Sequence, residues 1–318
     1  MNRKPIYVEI DIDTDMDSLW RHTQTPELHE QWDLRFSEIS YLPRDDEKDP
    51  QYFLYRTRIC FGLDITGTGE TKANIHSAGG ERTSTLTFGS DQQISLIRKG
   101  GGYWKYKPKG KGVTFMTQYD YQTRLGIIGR WFDQMLFRPL FGYATAWSFD
   151  MLRIWLEKFI PPAVTMQRAV MHYFSVLMLV FLWCYQGIVP KLLFPEAGEL
   201  ALLQALGWFG GREEQLLLLL GVAEISLGLL IFKLHRHRWV YFTQIVLLAL
   251  LAAAALIGTP EMLAAPFNPL TLSCSMIGFC LLAHWSARDL PQANRCLRKP
   301  AYRSKGDERG WHRSMSKR

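Results

Sequence analysis

Residues 169–189, AVMHYFSVLMLVFLWCYQGIV, run for 21 residues without a charged side chain. At 1.5 Å of rise per helical residue such a run reaches across a hydrocarbon core of about 30 Å. Inside lipid a backbone must satisfy its own hydrogen bonds, so the run is read as a transmembrane helix. Two further segments repeat the pattern: 215–232, QLLLLLGVAEISLGLLIF, with one acid, and 239–257, WVYFTQIVLLALLAAAALI, with no charge. A fourth uncharged stretch covers Met262 to Ala287, where Pro266 and Pro269 delay the helical part and put the span at about 268–287.

Lys and Arg resist translocation, so the short loops set the direction of insertion. KLHRHR at 233–238 holds three Lys or Arg, and the segment 288–318 holds ten against three acids. The loop at 258–269 holds none, and 190–214 holds two against four acids. All four connections agree on cytoplasmic N- and C-termini in a cell (inner) membrane. The opening MNRKPIYVEIDIDTD alternates acids where a signal peptide needs an apolar core, so the first half is expected to remain in the cytosol.

Charge separates the chain into unlike halves. Residues 1–160 carry 21 Lys or Arg and 21 Asp or Glu, and the whole excess of +7 belongs to the remainder. Basicity is therefore a matter of membrane topology, and no nucleic-acid partner is expected. Five scattered cysteines, Cys60, Cys184, Cys274, Cys280 and Cys296, give neither a disulfide framework nor zinc spacing.

The first half reads as α+β. IYVEIDI at 6–12 alternates as a strand, MDSLWRHTQTPELHEQW reads as one or two short helices with Pro26 opening the second, and six β-branched or aromatic runs follow between 36 and 123. A long helical segment from Leu125 to Phe159 closes it, with an interruption expected at Pro139. The triplet Gly100–Gly102 lies inside a strand pattern and is expected to mark a bulge or bend.

With WRHTQTPELHEQWD after the first strand and GRWFDQMLFRPLFGYATAWSFDMLRIWLE as the last helix, residues 4–158 resemble the helix-grip fold of the START and polyketide-cyclase-like (SRPBCC) superfamily. The second half resembles the DoxX-like family of small four-helix membrane proteins over residues 168–290. It has WCYQGIVPKLLFPEAGELALLQALG leaving the first span, GVAEISLGLL in the second and FNPLT opening the fourth. The expected architecture is a helix-grip domain at 1–160, an antiparallel sheet around a long C-terminal helix, followed by an all-α four-helix transmembrane bundle at 161–290. A basic cytoplasmic tail occupies 291–318.

The helix-grip resemblance implies a cavity between sheet and last helix that holds a hydrophobic small molecule. Alternation places Phe53, Tyr55, Thr57 and Ile59 on one strand face, and Phe115, Thr117, Tyr119 and Tyr121 on another. Aromatics mixed with hydroxyls suit an apolar pocket that orients a polar group; they suit a closed sheet core equally. Trp131, Phe132, Met135 and Leu136 form an apolar face on the last helix, from which Phe132 and Met135 join the candidate ligand-binding set. That face could lid the cavity or lie on the bilayer surface, flanked by Arg130 and Arg138.

No catalytic constellation stands out: the chain has no G-x-S-x-G, H-E-x-x-H, P-loop or dinucleotide fingerprint. The acidic runs at 11–17 and 44–49 lack cation-binding spacing and read as solvated, and His22 and His29 read as capping or surface residues. No cofactor is assigned. Glu224, midway along the second span, costs at least about 2.5 kcal/mol at the bilayer centre unless it pairs, faces the bundle or stays protonated. Gln244 and His172 are its candidate polar companions; Lys191 beside Pro190 reads as a helix end. The leading functional reading is a membrane-anchored binding or accessory protein for a lipid-like molecule. The alternatives are a membrane redox component linked to quinones or thiols, with a redox partner, or a small transporter that uses Glu224 and assembles as a homo-oligomer.

Overall fold

The structure, a computed structural model, describes residues 4–300 apart from 47, 48, 60, 61, 78, 198, 208, 259, 260, 262, 263 and 265–267. Cys60, part of the acidic run at 44–49, part of the loop at 258–269 and the tail beyond residue 300 therefore lie outside the described residues. The chain divides into two compact units, Met1–Ala163 with Pro291–Arg318, and Val164–Leu290.

In the first unit, strand β1 (Ile6–Ile12) leads into helices α1 (Met16–Gln24) and α2 (Pro26–Trp32). Asp15 caps α1 by accepting from Ser18 N at 2.7 Å, and Pro26 opens α2, where its missing N–H costs nothing. Strands β2 (Glu38–Tyr41), β3 (Gln51–Arg58), β4 (Asp64–His76), β5 (Arg82–Gly89), β6 (Ile97–Lys109) and β7 (Gly112–Thr123) complete a seven-stranded sheet. Its order is β1-β7-β6-β5-β4-β3-β2, antiparallel throughout. Consecutive strands pair as a meander, and β1 joins the last strand.

The closing helix starts as α3 (Gly126–Phe132), widens into a π-helical turn at Asp133–Phe137 and continues as α4 (Arg138–Lys158). The expected break at Pro139 is thus a widened turn just ahead of the proline. A ring without an N–H removes one backbone bond, and the preceding turn absorbs the loss without ending the helix. Helix α4 lies against the sheet, with Phe115 of β7 stacked on Phe149 at 4.4 Å between ring centres. Val8, Ile10, Ile12, Leu19, Trp32, Leu152 and Ile154 fill the surrounding core. Trp32 has no solvent exposure and satisfies its indole by donating to His22 O at 2.9 Å.

The register shift in β6 falls between Ile97 and Lys99, just before the glycine triplet, which itself stays in register. The glycines clear space instead of bending the strand: a Cβ on Gly100 would stand 2.6 Å from the Phe88 ring.

The start of the expected tail belongs to the first unit. Glu9 and Leu297 exchange backbone hydrogen bonds of 2.9 Å, which covers part of the exposed edge of β1. The buried carboxylate of Asp150 on α4 accepts from Gln292 N at 2.7 Å, and the Cys296 thiol donates to Ala146 O at 3.2 Å.

The second unit is helical. Helix α5 (Pro162–Gln186) runs into a π-helical segment, Gly187–Leu193, that contains Pro190. Helices α6 (Glu199–Leu206), α7 (Glu213–Leu234), α8 (Arg238–Gly258) and α9 (Pro269–Ser286) follow. Among the described residues, 162–193, Glu213–Leu234 and Pro269–Ser286 are long and apolar enough to cross a membrane, and α8 is apolar over Arg238–Ala253. Leu179, Trp183, Ile231, Tyr241, Met276 and Cys280 form their shared core. Small residues set the closest approach: a Cβ on Gly187 would sit 2.5 Å from Gly221 O.

Candidate functional site

Within the first unit a cavity of about 480 Å³ opens between the sheet, α2 and the closing helix. Its size is that of a small-molecule site. The exposed surface of the wall is mostly apolar and aromatic, with Phe36, Phe53, Leu86, Phe88 and Phe141 prominent, and polar side chains interrupt it, Thr23, His29, Arg35, Thr57, Ser84, Thr117 and Tyr119 among them. Two glycines of β4 make the wall possible. A Cβ on Gly69 would meet the Phe53 ring at 2.1 Å and one on Gly67 would meet the Tyr55 ring at 2.4 Å, so both rings lie over bare backbone. The Tyr55 hydroxyl then donates to Gly89 O at 3.1 Å.

Of the residues expected from strand alternation, Phe53, Tyr55, Thr57, Thr117 and Tyr119 line the cavity, with Phe132 from α3. Three others do not. Phe115 shares the inner face but is sealed between Tyr106 and Phe149, filling the solid part of the core. Tyr121 donates to Asp133 at 2.6 Å beneath the Arg138 guanidinium, whose Cζ stands 4.5 Å from the ring centre, and so ties β7 to the π-helical turn. Met135 turns outward and is 66% exposed. Alternation gives a face, but it cannot say how far along that face the space is open.

The charged feature of the cavity is a network that sequence reasoning passed over. Asp33, at the end of α2, and Arg35, two residues on, form a two-pronged pair, with Arg35 Nε donating to Oδ1 at 2.8 Å and Nη2 to Oδ2 at 2.6 Å. His29, one helical turn before Asp33, brings Nε2 within 3.0 Å of Oδ2. Asp33 is fully buried and the Arg35 side chain is 9% exposed. Burial alone would raise the Asp33 carboxyl; the charge and hydrogen bonds of Arg35, joined by His29, outweigh it and hold the group well below the usual carboxylate range. Burial would likewise lower the guanidinium, and Asp33 overrides it to hold Arg35 charged, with a smaller contribution from Tyr119. The sequence signal was present in HEQWDLRF: a His and an Asp at i, i+4 on a short helix, then an Arg where the chain turns.

In the second unit, Glu224 finds its partner in Lys191. Nζ stands 2.9 Å from Glu224 Oε2 and 2.9 Å from Glu199 Oε2, and donates to Gln186 O at 3.3 Å. The companions expected for Glu224 lie elsewhere. His172 faces His235 Nδ1 at 3.0 Å and Ala283 O at 3.1 Å. Gln244 is buried, with no partner for Oε1 among the described residues. The reason is the π-helical segment, which carries Lys191 past the end of a regular helix and returns it toward α7. Among the described residues no group of three or more His, Cys, Asp or Glu is arranged to hold a metal ion.

Residues 180–281 match the DoxX-like family, so the second unit is a DoxX-like membrane domain. The chain is 44% identical over 241 residues to the membrane protein YndG of Bacillus subtilis strain 168, an alignment that takes in 76% of this chain and 81% of that protein. The chain belongs to the family of YndG, and a lipid bilayer is its environment. Among solved structures, a STAR-related lipid transfer protein fragment from Xanthomonas axonopodis is 16% identical with a TM-score of 0.34, covering 43% of this chain and 78% of the fragment. The lipid transfer and protein localization domain of human StarD13 is 12% identical with a TM-score of 0.30, covering 44% of this chain and 74% of that domain.

Proposed function

We propose that the protein is a multi-pass, membrane-anchored binding or accessory protein whose helix-grip domain, on the cytoplasmic side, holds a hydrophobic or lipid-like small molecule. The observation that carries the reading is the cavity of about 480 Å³, walled by aromatic and aliphatic side chains with a few fixed polar groups. Leu34, Ile59, Ile94 and Phe132 line it and are also exposed, so its mouth is apolar and suits a molecule delivered from an apolar phase.

Chain connectivity supports the topology. Pro291–Leu297 belongs to the unit from which the chain departs at Val164, which supports a membrane half that crosses an even number of times. Four crossings by α5, α7, α8 and α9 are compatible with that, and the Lys and Arg of KLHRHR favour the cytoplasm as the side. The ion pair of Glu224 with Lys191 favours a packing role for that acid over a transport role.

The test is mass spectrometry of solvent extracts from full-length protein purified in lipid nanodiscs. The expected result is one apolar species retained near equimolar amount beyond the disc lipids. Protein that carries no such species, and takes up none on incubation with a lipid extract, refutes the reading.

A further inference from the structure

A cavity that only excluded water would not need an ion pair in its wall. Taking the Asp33 and Arg35 charges out of water is costly, and their mutual attraction does little more than offset that cost. Arg35 has five N–H bonds. The Nε and Nη2 edge is occupied by Asp33.

The direction of the Tyr119 bond follows from its neighbours. With the Thr145 hydroxyl donating to Phe141 O at 2.9 Å, Tyr119, 2.7 Å from Thr145 Oγ1, donates to Thr145 and keeps its own lone pairs on the cavity side. Asp33 thus fixes the guanidinium by a two-pronged bond, with the Tyr119 ring beside it, 5.4 Å from Cζ to ring centre. Among the described residues the hydrogen bonds of the guanidinium go to Asp33, which leaves N–H donors to spare on a group that lines the cavity and is 9% exposed. The rings of Phe36, Tyr119 and Phe141 lie 5.4–5.9 Å from its Cζ, an apolar collar around the charge.

We infer that Arg35 is the head-group anchor of the cavity and that its ligand is a hydrophobic molecule ending in a carboxylate. This rests on the reading of the cavity as a ligand site. A planar guanidinium with donors to spare matches a planar two-oxygen acceptor, and the low exposure strengthens each charge-assisted bond. The aromatic and aliphatic part of the wall takes the hydrocarbon. Asp33 holds the cation in a single orientation before the ligand arrives and leaves the Arg35–Asp33 pair without net charge when the cavity is empty. The carboxylate source, a straight-chain fatty acid or a branched or cyclic acid, shares this head chemistry and is distinguished by the tail.

The experiment uses full-length protein in nanodiscs, incubated with equal concentrations of palmitate, methyl palmitate and hexadecanol, with the retained amounts read by isotope-dilution mass spectrometry. Charge-assisted bonds to a fixed guanidinium predict retention of the acid about tenfold or more above the ester. In Arg35→Gln that preference falls to within about twofold while ester retention persists. Because Arg35→Gln leaves Asp33 buried with His29 as its remaining side-chain partner, Asp33→Asn/Arg35→Gln is measured beside it, with the same loss of preference expected. Equal retention of acid and ester by the unmodified protein overturns the anchor and leaves the cavity reading intact. Retention of none of the three, by a protein that also carries no apolar species of its own, overturns both. A branched or cyclic isoprenoid acid offered in competition then separates the two sources of the carboxylate.

Discussion

Replacing Lys191 by Met removes the cation that stands 2.9 Å from both Glu224 and Glu199. The Lys191 side chain is 6% exposed, Glu224 is 17% exposed and Glu199 34%. Removing one partner of a buried ion pair costs about 3–5 kcal/mol in soluble proteins. Polar contacts inside membranes measure lower, with a maximum of about 1.7 kcal/mol, because the unfolded chain in lipid also finds partners. Glu199, a third exposed, is screened and adds at most about 1 kcal/mol. Together these bound the loss for Lys191→Met at roughly 2–4 kcal/mol. Glu224→Gln leaves Lys191 with Glu199 and Gln186 O, so its loss is smaller, and the double variant Lys191→Met/Glu224→Gln is more stable than the sum of the single losses implies. Reversible unfolding in mixed micelles, run as a double-mutant cycle, measures the coupling, expected at about 1–3 kcal/mol. Strict additivity, or a Lys191→Met protein as stable as the parent, would refute the account of Glu224 as a packing residue.

Three further outcomes follow from the first unit. Asp150→Asn weakens the tie between α4 and Gln292 while leaving Arg153 with Glu157, so hydrogen exchange of residues 291–297 accelerates and exchange in β3 to β6 stays as it was. Asp33 has a carboxyl held below its ordinary value of about 3.9, so its stabilising contribution is fully present above that pH and is lost as acid approaches the folded-state value. Acid titration followed by tryptophan fluorescence should show a transition below about pH 4 that is absent from Asp33→Asn. Phe115→Ala removes a ring stacked between Tyr106 and Phe149 and should cost about 3–5 kcal/mol in thermal or chemical unfolding, a loss expected of solid core.

Much of this organisation is visible in the amino-acid sequence because two different solvents shape it. A run of 21 uncharged residues has one stable conformation in lipid, and alternation in IYVEIDI or VTFMTQYDYQT has one stable pairing on a half-buried sheet. Those signals are local, and the antiparallel sheet and the apolar helices lie where they point. Long-range effects were hidden. The link from Leu297 back to Glu9 joins residues 288 positions apart and leaves no periodic trace, so 291–297 read as tail. Lys191 looked like a helix end because a π-helical segment, set by Pro190, cannot be counted from regular spacing. Phe115, Tyr121 and Met135 share faces with cavity residues, and only the tertiary packing separates a wall from a plug. His29, Asp33 and Arg35 were readable as types but not as a network, since a short polar helix end is ordinarily solvated. Here β7 and the closing helix bury it.

The cavity is the centre of this account, and a variant that fills it tests it most directly. Leu86 projects from β5 into the space, and Leu86→Trp should occupy it while the opposite sheet face and the membrane half stay unchanged. Apolar molecules retained by the full-length protein in nanodiscs, quantified for parent and variant by native mass spectrometry, are predicted to fall from near one per chain to a small fraction, with the far-ultraviolet circular dichroism preserved. Equal retention by a folded Leu86→Trp protein would place the bound molecule elsewhere and contradict the reading of this domain as a ligand-holding module.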